Sequence, residues 1–263
     1  MLEIKKLTVS ARGGRRLLDE VSLSLNCGEI IGLTGESGCG KTTLIRSVMG
    51  LLRTEQLSMN GEILLDGRDI TKLSAREHAG LCGTTVALIP QSPMTAFDPS
   101  WRIDAQMMET FRLKLGMTKQ AAREFAQKCL MDVNLTDTAR ILNSYPGQLS
   151  GGMLQRVAVA MVFGMSPKYI LADEPTSALD EANCEIITEL LLERKSESGI
   201  LFISHDAHAL QKATERMIVM HEGQIVDGGK TRELFEQPKN PHTRDFVMDA
   251  CGKREEGWKW EKL

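Results

Sequence analysis

Aromatic residues are scarce in this 263-residue chain: they make up 5% of it, and none lies among residues 1 to 96. Long apolar runs are missing as well, since no segment reaches the roughly 18 to 20 continuous apolar residues that a membrane-spanning helix requires. The N-terminal segment lacks the apolar region and small-residue cleavage site of a secretory signal. We therefore expect any association with a membrane to depend on a partner.

Cysteine, histidine and charge patterns disfavour several further classes of protein. The six cysteines include no CxxC pair and no His/Cys cluster at zinc spacing, which indicates reduced, cytosolic thiols. The histidines His78, His208, His221 and His242 are dispersed along the sequence, and we expect them to be surface or packing residues and not ligands. A formal net charge of −3 gives no strong field that would draw the protein onto nucleic acid.

The hydrophobic pattern changes along the chain. Residues 2–30 and 61–70 contain alternating apolar and polar positions, which predicts half-buried antiparallel strands. From Ile103 to about Ser144 apolar residues recur three and four positions apart, which predicts an all-helical insertion. From about Gly151 onwards helices alternate with short apolar strands, the pattern of a parallel sheet covered on both faces.

Residues 35–42, GESGCGKT, fit the pattern GxxxxGK[ST] at every fixed position and lie between an apolar strand and a helix. Glycines at these positions let successive backbone N–H groups point at phosphate oxygens, and the helix N-terminus favours an anion. We expect Lys41 to neutralise the β- and γ-phosphates of a nucleotide and the Thr42 hydroxyl to ligate Mg²⁺. A glycine-rich turn that binds nothing is the alternative. The predicted nucleotide-binding residues of this phosphate loop and the helix after it are Gly35, Glu36, Ser37, Gly38, Cys39, Gly40, Lys41, Thr42 and Thr43.

A second candidate element is the apolar run at residues 169–174, which ends in Asp173 and Glu174. A buried strand would hold Asp173 at the carboxyl edge of the sheet, beside the phosphate loop, where it could bind Mg²⁺ directly or through water. Glu174 would then face the water that attacks the γ-phosphate. Taken alone the motif is weak, because an apolar run ending in two acids could simply begin a surface turn.

A third element, LSGGMLQ at residues 149–155, opens a helix with a serine and two glycines. Alone it is equally well explained as a helix cap. It resembles the LSGGQ signature of the ABC (ATP-binding cassette) ATPase family and departs from it at Met153. With the phosphate loop before it and the Asp-Glu strand after it, the resemblance is specific and extends over roughly residues 1 to 250.

The resemblance implies an α/β fold: a P-loop (RecA-like) ATPase core, an N-terminal antiparallel β subdomain and an all-helical insertion. We expect residues 1–91 and 151–250 to form the β subdomain and core, residues 92–150 the insertion, and residues 251–263 a C-terminal tail. It further implies a head-to-tail dimer, in which ATP lies between the phosphate loop of one subunit and the Ser150, Gly151 and Gly152 segment of the other.

Family resemblance also assigns roles to single residues. Gln91 resembles the Q-loop glutamine that touches Mg²⁺ and the attacking water, and His205 resembles the switch histidine that senses the γ-phosphate. Residues 177–180 resemble the D-loop, which ends at Asp180 and crosses to the other subunit. Taken alone, Gln91 would be an ordinary loop residue and His205 a strand-end histidine. The predicted catalytic residues are Lys41, Gln91, Glu174 and His205, and the predicted Mg²⁺ ligands are Thr42, Gln91 and Asp173.

One feature departs from the family pattern, in which an aromatic residue near the first hairpin stacks on adenine. This chain has Arg12, Arg15 and Arg16 in that hairpin and no aromatic residue. A planar guanidinium could stack on the base instead. A solvated basic turn is an equally good interpretation.

Segments outside the nucleotide motifs resemble the importers of oligopeptides, dipeptides and nickel. They are SPMTAFDP at residues 92–99, SYPGQ at 144–148 and PKNPHTR at 238–244. Because only Cys251 lies near the end, we predict no iron–sulfur cluster of the kind found in many peptide-importer ATPases, and the short chain favours the nickel or metallophore type over a peptide importer.

This branch implies several partners and a location. The partners are two permease subunits, a second ATPase subunit of the same or a related chain, and indirectly a substrate-binding protein. The expected location of this chain is the cytoplasmic face of the membrane. Phe97 and Trp101 are candidates for contacts with the permeases, although Trp101 could equally lie in the core. Two other interpretations stay open: a non-transport ABC ATPase acting on nucleic acid or ribosomes, and a silent subunit that binds ATP without hydrolysing it.

Overall fold

The N-terminal strands form an antiparallel sheet, as their alternating pattern predicts. In the computed structural model, which describes residues 1–52, 56–177 and 179–251, this sheet has the strand order β2-β1-β4-β5. Its strands are β1 (Leu2–Ala11), β2 (Arg16–Leu25), β4 (Leu57–Leu65) and β5 (Arg68–Asp69). All three pairings are antiparallel, and alternate residues face the core.

The second sheet carries the nucleotide motifs. It contains β3 (Ile30–Gly35), β6 (Val86–Ile89), β7 (Tyr169–Asp173), β8 (Gly199–Ile203), β9 (Arg216–His221) and β10 (Gln224–Lys230), in the order β10-β9-β3-β8-β7-β6. Every pairing is parallel except that of β10 with β9. The parallel sheet predicted from the alternation of strands and helices is therefore confirmed.

The core lies on both faces of this second sheet. Ile170 and Phe202 point into one apolar cluster, which the helices cover, whereas Leu171 and Leu201 point into another, which the N-terminal sheet covers. A strand buried on both faces needs apolar residues at every position, and β7 and β8 show this as nearly continuous apolar runs.

Ten α-helices are described. They are α1 (Lys41–Val48), α2 (Ala75–Leu81), α3 (Ile103–Leu115), α4 (Lys119–Asp132), α5 (Thr138–Asn143), α6 (Gly151–Gly164), α7 (Glu181–Arg194), α8 (Ala207–Ala213), α9 (Thr231–Glu236) and α10 (Pro241–Cys251). The helical stretch predicted between Ile103 and Ser144 is present as α3, α4 and α5. Among the described helices, none combines the length and apolar character that a membrane crossing requires.

The sequence analysis did not predict α2. Ser74 caps it by accepting a hydrogen bond from the backbone N–H of Glu77, whose side chain in turn accepts one from the backbone of Ser74. This reciprocal pair is a capping box, a pattern that the sequence contains. The subdomain boundaries stay a prediction, and Ala178 of the D-loop and residues 252–263 of the tail lie outside the described residues.

One docking prediction is wrong. Phe97 is only 5% exposed and belongs to the apolar cluster beneath the helices, so it is not available to a permease. Trp101, at 49% exposed, is on the surface.

Candidate nucleotide-binding site

The phosphate loop turns sharply between the central strand β3 and helix α1. Gly35 has φ +147, and a Cβ atom there would lie 2.2 Å from the carbonyl oxygen of Met220 on the neighbouring strand. Gly40 has φ +114 and stands at the N-cap of α1 without a side-chain cap. The first N–H groups of α1 therefore lack a side-chain acceptor from the cap, which is the arrangement that binds anions at helix starts.

Lys41 is a buried cation with backbone partners. Its side chain is 6% exposed, and its Nζ donates hydrogen bonds to the carbonyl oxygens of Gly35 at 2.6 Å and Glu36 at 2.9 Å. Within the described part of the chain, no carboxylate lies within ion-pair distance of this ammonium. A buried charge without a counter-ion favours binding of an anion such as phosphate.

Three predicted catalytic side chains meet at Glu174. Glu174 is 9% exposed, and its carboxylate accepts a hydrogen bond from Gln91 Nε2 at 2.7 Å and lies 3.0 Å from His205 Nε2. The three residues follow β6, β7 and β8, which are neighbours in the parallel sheet, so their carboxyl ends open onto one edge. Glu174 also has φ +47, a strained backbone conformation for a residue with a side chain, of the kind that clusters at functional sites.

Asp173 lies at the end of β7, next to Glu174. Burial raises the pKa of its carboxyl group, and the charge of Glu174 raises it further, while Lys41 and Arg46 and a hydrogen bond from Thr42 act in the opposite direction. Two adjacent carboxylates that are costly to ionise together suit a bound cation. Carboxylate, hydroxyl and amide oxygens are the ligands that Mg²⁺ prefers, so the residues present fit this ion.

Most of these residues, although not Asp173, line one open cavity of about 470 Å³. Its lining is drawn from the phosphate loop, the start of α1 and the three strand ends. The lining residues are Ser37, Gly38, Gly40, Lys41, Thr42, Thr43, Gln91, Glu174 and His205. The structure thus brings together most of the residues that the sequence analysis assigned to phosphate and catalysis.

The signature segment does not line this cavity. Ser150 caps α6 by accepting a hydrogen bond from the backbone N–H of Met153 at 3.3 Å, and both Ser150 and Gly151 are exposed. Gly152 is buried against α7. A Cβ atom at this position would lie only 2.6 Å from Cγ of Asn183, so no larger residue fits without a shift. Asp180 caps α7 and accepts hydrogen bonds from both the backbone and the side chain of Asn183. The predicted signature and D-loop residues are therefore packed together, apart from the phosphate loop cavity.

The sequence analysis missed one residue that joins these two regions. Gln155 of α6 is 1% exposed, and its Nε2 donates a hydrogen bond to the carbonyl oxygen of Pro90 at 3.2 Å, directly before Gln91. A polar residue among the buried positions Leu154, Val157 and Ala158 was the available signal. It connects the signature helix to the Gln91 loop.

A second cavity, of about 390 Å³, adjoins the outer side of the phosphate loop. Its lining includes Arg15 and Arg16, and no aromatic residue belongs to it. Arg16 pairs with Asp19. Cys39 also lines this cavity, and burial raises the pKa of its thiol, which keeps it protonated. The complete lining is Arg15, Arg16, Leu17, Glu36, Ser37, Gly38, Cys39, Glu222 and Gly223.

Two of the histidines that are dispersed along the sequence meet in the fold. The rings of His221 and His242 stack with their centroids 3.7 Å apart and an interplanar angle of 18°. They are 21 residues apart in the sequence, so only the tertiary fold brings them together.

Comparison with known proteins identifies the family of this chain. A model of the ABC transporter family matches residues 18–177, so the chain belongs to that family. It is accordingly an ATP-binding cassette that hydrolyses ATP, and its fold is the ABC ATPase fold.

Two relatives and one solved structure show what kinds of ABC protein this chain is similar to. The dipeptide transport ATP-binding protein DppD of Escherichia coli K12 is 37% identical over 252 residues, 94% of this chain and 77% of that protein. The metal-staphylopine import system ATP-binding protein CntD of Staphylococcus aureus Mu50 is 35% identical over 247 residues, 93% of this chain and 91% of that protein. The ATP-binding cassette MJ0796, solved as a dimer bound to ADP and Pi, has a TM-score of 0.78 at 27% identity, covering 88% of this chain and 99% of that one.

Proposed function

We propose that this chain is the ATP-hydrolysing subunit of an ABC importer, working as a dimer closed by ATP. The catalytic residues are Lys41, Gln91, Glu174 and His205. Water attacks the γ-phosphorus, Glu174 accepts the water proton, and the bond to the ADP oxygen breaks as inorganic phosphate forms. Gln91 and His205 orient the Glu174 carboxylate, a role supported by the hydrogen bond from Gln91 and by the 3.0 Å distance from His205 Nε2 to the same oxygen.

Mg²⁺ is the proposed metal, and Thr42, Asp173 and Gln91 are its proposed protein ligands. The Gln91 amide supports this assignment, because its nitrogen donates a hydrogen bond to Glu174 and its oxygen stays available to bind the ion. When bound, the ion neutralises charge on the β- and γ-phosphates. Lys41 and the N–H groups at the start of α1 hold the remaining phosphate oxygens.

The observation that carries the dimer proposal is the position of the signature segment. Ser150 and Gly151 are exposed at the N-terminus of the 14-residue helix α6, outside the cavity that the phosphate loop lines. A second chain can bring such a helix start to the γ-phosphate of the first, so that each site takes residues from two chains. The solved structure of a similar cassette, a dimer bound to ADP and Pi, supports a dimer here.

The other proposed partners are permease subunits and a substrate-binding protein, by analogy with the import systems of the relatives. Two permease subunits would hold the chain at the cytoplasmic face of the membrane, and a substrate-binding protein would act through them. Trp101 is exposed and is our candidate contact with a permease. The proposed cargo is a metal chelate, nickel or a small peptide, which the matching metal-staphylopine and dipeptide import proteins support.

The dimer can be tested by measuring molar mass in solution. We expect the Glu174→Gln variant with Mg-ATP to double its mass, and the Glu174→Gln/Ser150→Arg variant to bind ATP and stay monomeric, because an arginine would block the signature surface. If the working pair uses a related ATPase, the same ATP dependence is expected for that pair in the assembled transporter. A chain that binds ATP without pairing in either setting would contradict the proposal.

A further inference from the structure

We propose that Glu36, His221 and His242 form a binding site for one divalent transition-metal ion of the zinc and nickel class. The site lies on the outer side of the phosphate loop, separate from the proposed Mg²⁺ ligands. Its three ligand atoms all lie within 4.8 Å of one another. They come from three segments: the phosphate loop, the end of β9 and the start of α10.

The sheet places the first two ligands side by side. Strands β3 and β9 are parallel neighbours, and their register pairs Gly35 with Met220. The next residues along the chain are Glu36, directly after β3, and His221, the last residue of β9; the His221 Nδ1 lies 3.8 Å from a Glu36 carboxylate oxygen. This approach depends on the backbone pairing of two buried strands and does not require a flexible loop to close.

The third ligand is held by hydrogen bonds at the start of α10. Asn240 donates through Nδ2 to the Val226 carbonyl oxygen at 3.0 Å and accepts from the His242 backbone N–H at 2.9 Å. Thr243, fully buried, donates through its hydroxyl to the Asp227 carboxylate at 2.6 Å. Both acceptors belong to β10, so the backbone that carries His242 is fixed against the sheet.

The donor set selects the kind of ion. Two imidazole nitrogens and one carboxylate suit Zn²⁺, Co²⁺ or Ni²⁺, whereas Mg²⁺ prefers an all-oxygen site. Bonds of about 2.0–2.2 Å require ligand atoms closer together than the observed 4.8 Å limit. The Glu36 side chain, which is 73% exposed, is free to rotate inwards, and the two half-buried rings need to open slightly from their stacked arrangement. A fourth position would stay open to water.

Direct binding tests this proposal without relying on ATPase activity. The metal-free full chain, in millimolar Mg²⁺ and without nucleotide, competes for Zn²⁺ with a chromophoric chelator. We expect one tight site per chain, weakened at least tenfold in His221→Asn, His242→Asn and Glu36→Gln, since loss even of a supporting group typically costs about 10–100-fold in metal affinity. His208→Asn and Cys27→Ser change an exposed histidine and an exposed cysteine outside the site, and they should bind like the unchanged chain.

Two further measurements make a negative result interpretable. Zn²⁺ should raise the melting temperature of the unchanged chain and not of the histidine variants, whose metal-free melting curves report whether they fold. With Co²⁺ as the probe, a visible d–d band without a thiolate charge-transfer band is expected, because no cysteine is a ligand. The proposal is overturned if no stoichiometric site exists, if folded His221→Asn and His242→Asn bind as tightly as the unchanged chain, or if the thiolate band appears.

Discussion

The phosphate loop and the signature segment are the two proposed phosphate-binding elements, but they differ in how far their own chain completes them. Around the phosphate loop, Lys41 is buried and Glu174 is held by Gln91 and His205. At the signature segment, Ser150 and Gly151 are exposed, and the serine's described hydrogen bond is to its own helix.

This difference indicates which parts of the site one chain completes alone and which part needs a second chain. The proposed catalytic residues are preorganised within one chain, and preorganisation is the main source of rate enhancement in phosphoryl transfer. The signature segment is rigid at its inner side, through the contact of Gly152 with α7, and open at its outer side. A rigid, open helix start suits a ligand that a second chain delivers.

The largest effect is expected on the rate of ATP hydrolysis, from a change at Glu174 beside the phosphate loop. Glu174→Gln should lower the rate of ATP hydrolysis by about 10²–10⁴-fold, the usual contribution of a general base, while ATP binding persists. Steady-state phosphate release and equilibrium ATP binding measure the two quantities. The control is Glu193→Gln on the exposed face of α7, which should leave both unchanged. An unaltered rate in Glu174→Gln would support a chain that binds ATP without hydrolysing it.

Asp173→Asn should separate stability from activity. Burial raises the pKa of Asp173 in the folded chain, so the group favours folding at acid pH, and this contribution is lost as pH rises through its folded pKa. At pH 7 the ionised carboxylate therefore opposes folding. We expect the variant, free of nucleotide and Mg²⁺, to melt at a higher temperature at pH 7, with the gain shrinking in acid, while ATP hydrolysis falls by about 10²–10³-fold.

The matched control for this change is Asp245→Asn, at an exposed position of α10, which should leave melting temperature and activity nearly unchanged. A lower melting temperature at pH 7 for Asp173→Asn would show that the carboxylate makes stabilising contacts that outweigh its burial.

The two glycines of the signature segment offer a matched pair for the second region. Gly152→Ala should destabilise the chain by about 1–3 kcal/mol, the usual cost of overpacking, because its Cβ would overlap Asn183. Gly151→Ala meets nothing within 4 Å and should not destabilise it. Urea unfolding measures both free energies. Equal stabilities for the two variants would mean that α6 can move away from α7 at little cost.

Most of what was predicted depends on neighbouring residues, although α2 and its local capping box were not predicted. The phosphate loop at residues 35–42 and the strand before Asp173 are local patterns, and the alternation of strands with helices determined the parallel sheet. The sequence could not reveal that Phe97 is buried, because a single aromatic residue in a turn-rich segment has no periodicity. The pairing of His221 with His242 depends on strand register and on the hydrogen bonds that hold α10, neither of which leaves a local signal.

The smallest effect is expected at the outer cavity, where the adenine base would bind. Arg15 and Arg16 both line the outer cavity, but the Arg16 guanidinium is already paired with Asp19. Arg15 is exposed, and among the described residues no ion pair involves it, so its planar group is free to stack on adenine.

Arg15→Ala should therefore weaken ATP binding by about 2–5-fold, which corresponds to about 0.5–1 kcal/mol for an exposed stacking contact. Arg15→Tyr should restore the affinity, since an aromatic ring can stack in the same way. Arg12→Ala is the matched control, because Arg12 is exposed in the same hairpin and does not line the cavity. Equilibrium binding of a fluorescent ATP analogue, with unlabelled ATP as competitor, gives the affinities. Equal losses in Arg15→Ala and Arg12→Ala would mean that the hairpin acts through its overall charge, as a solvated basic turn would.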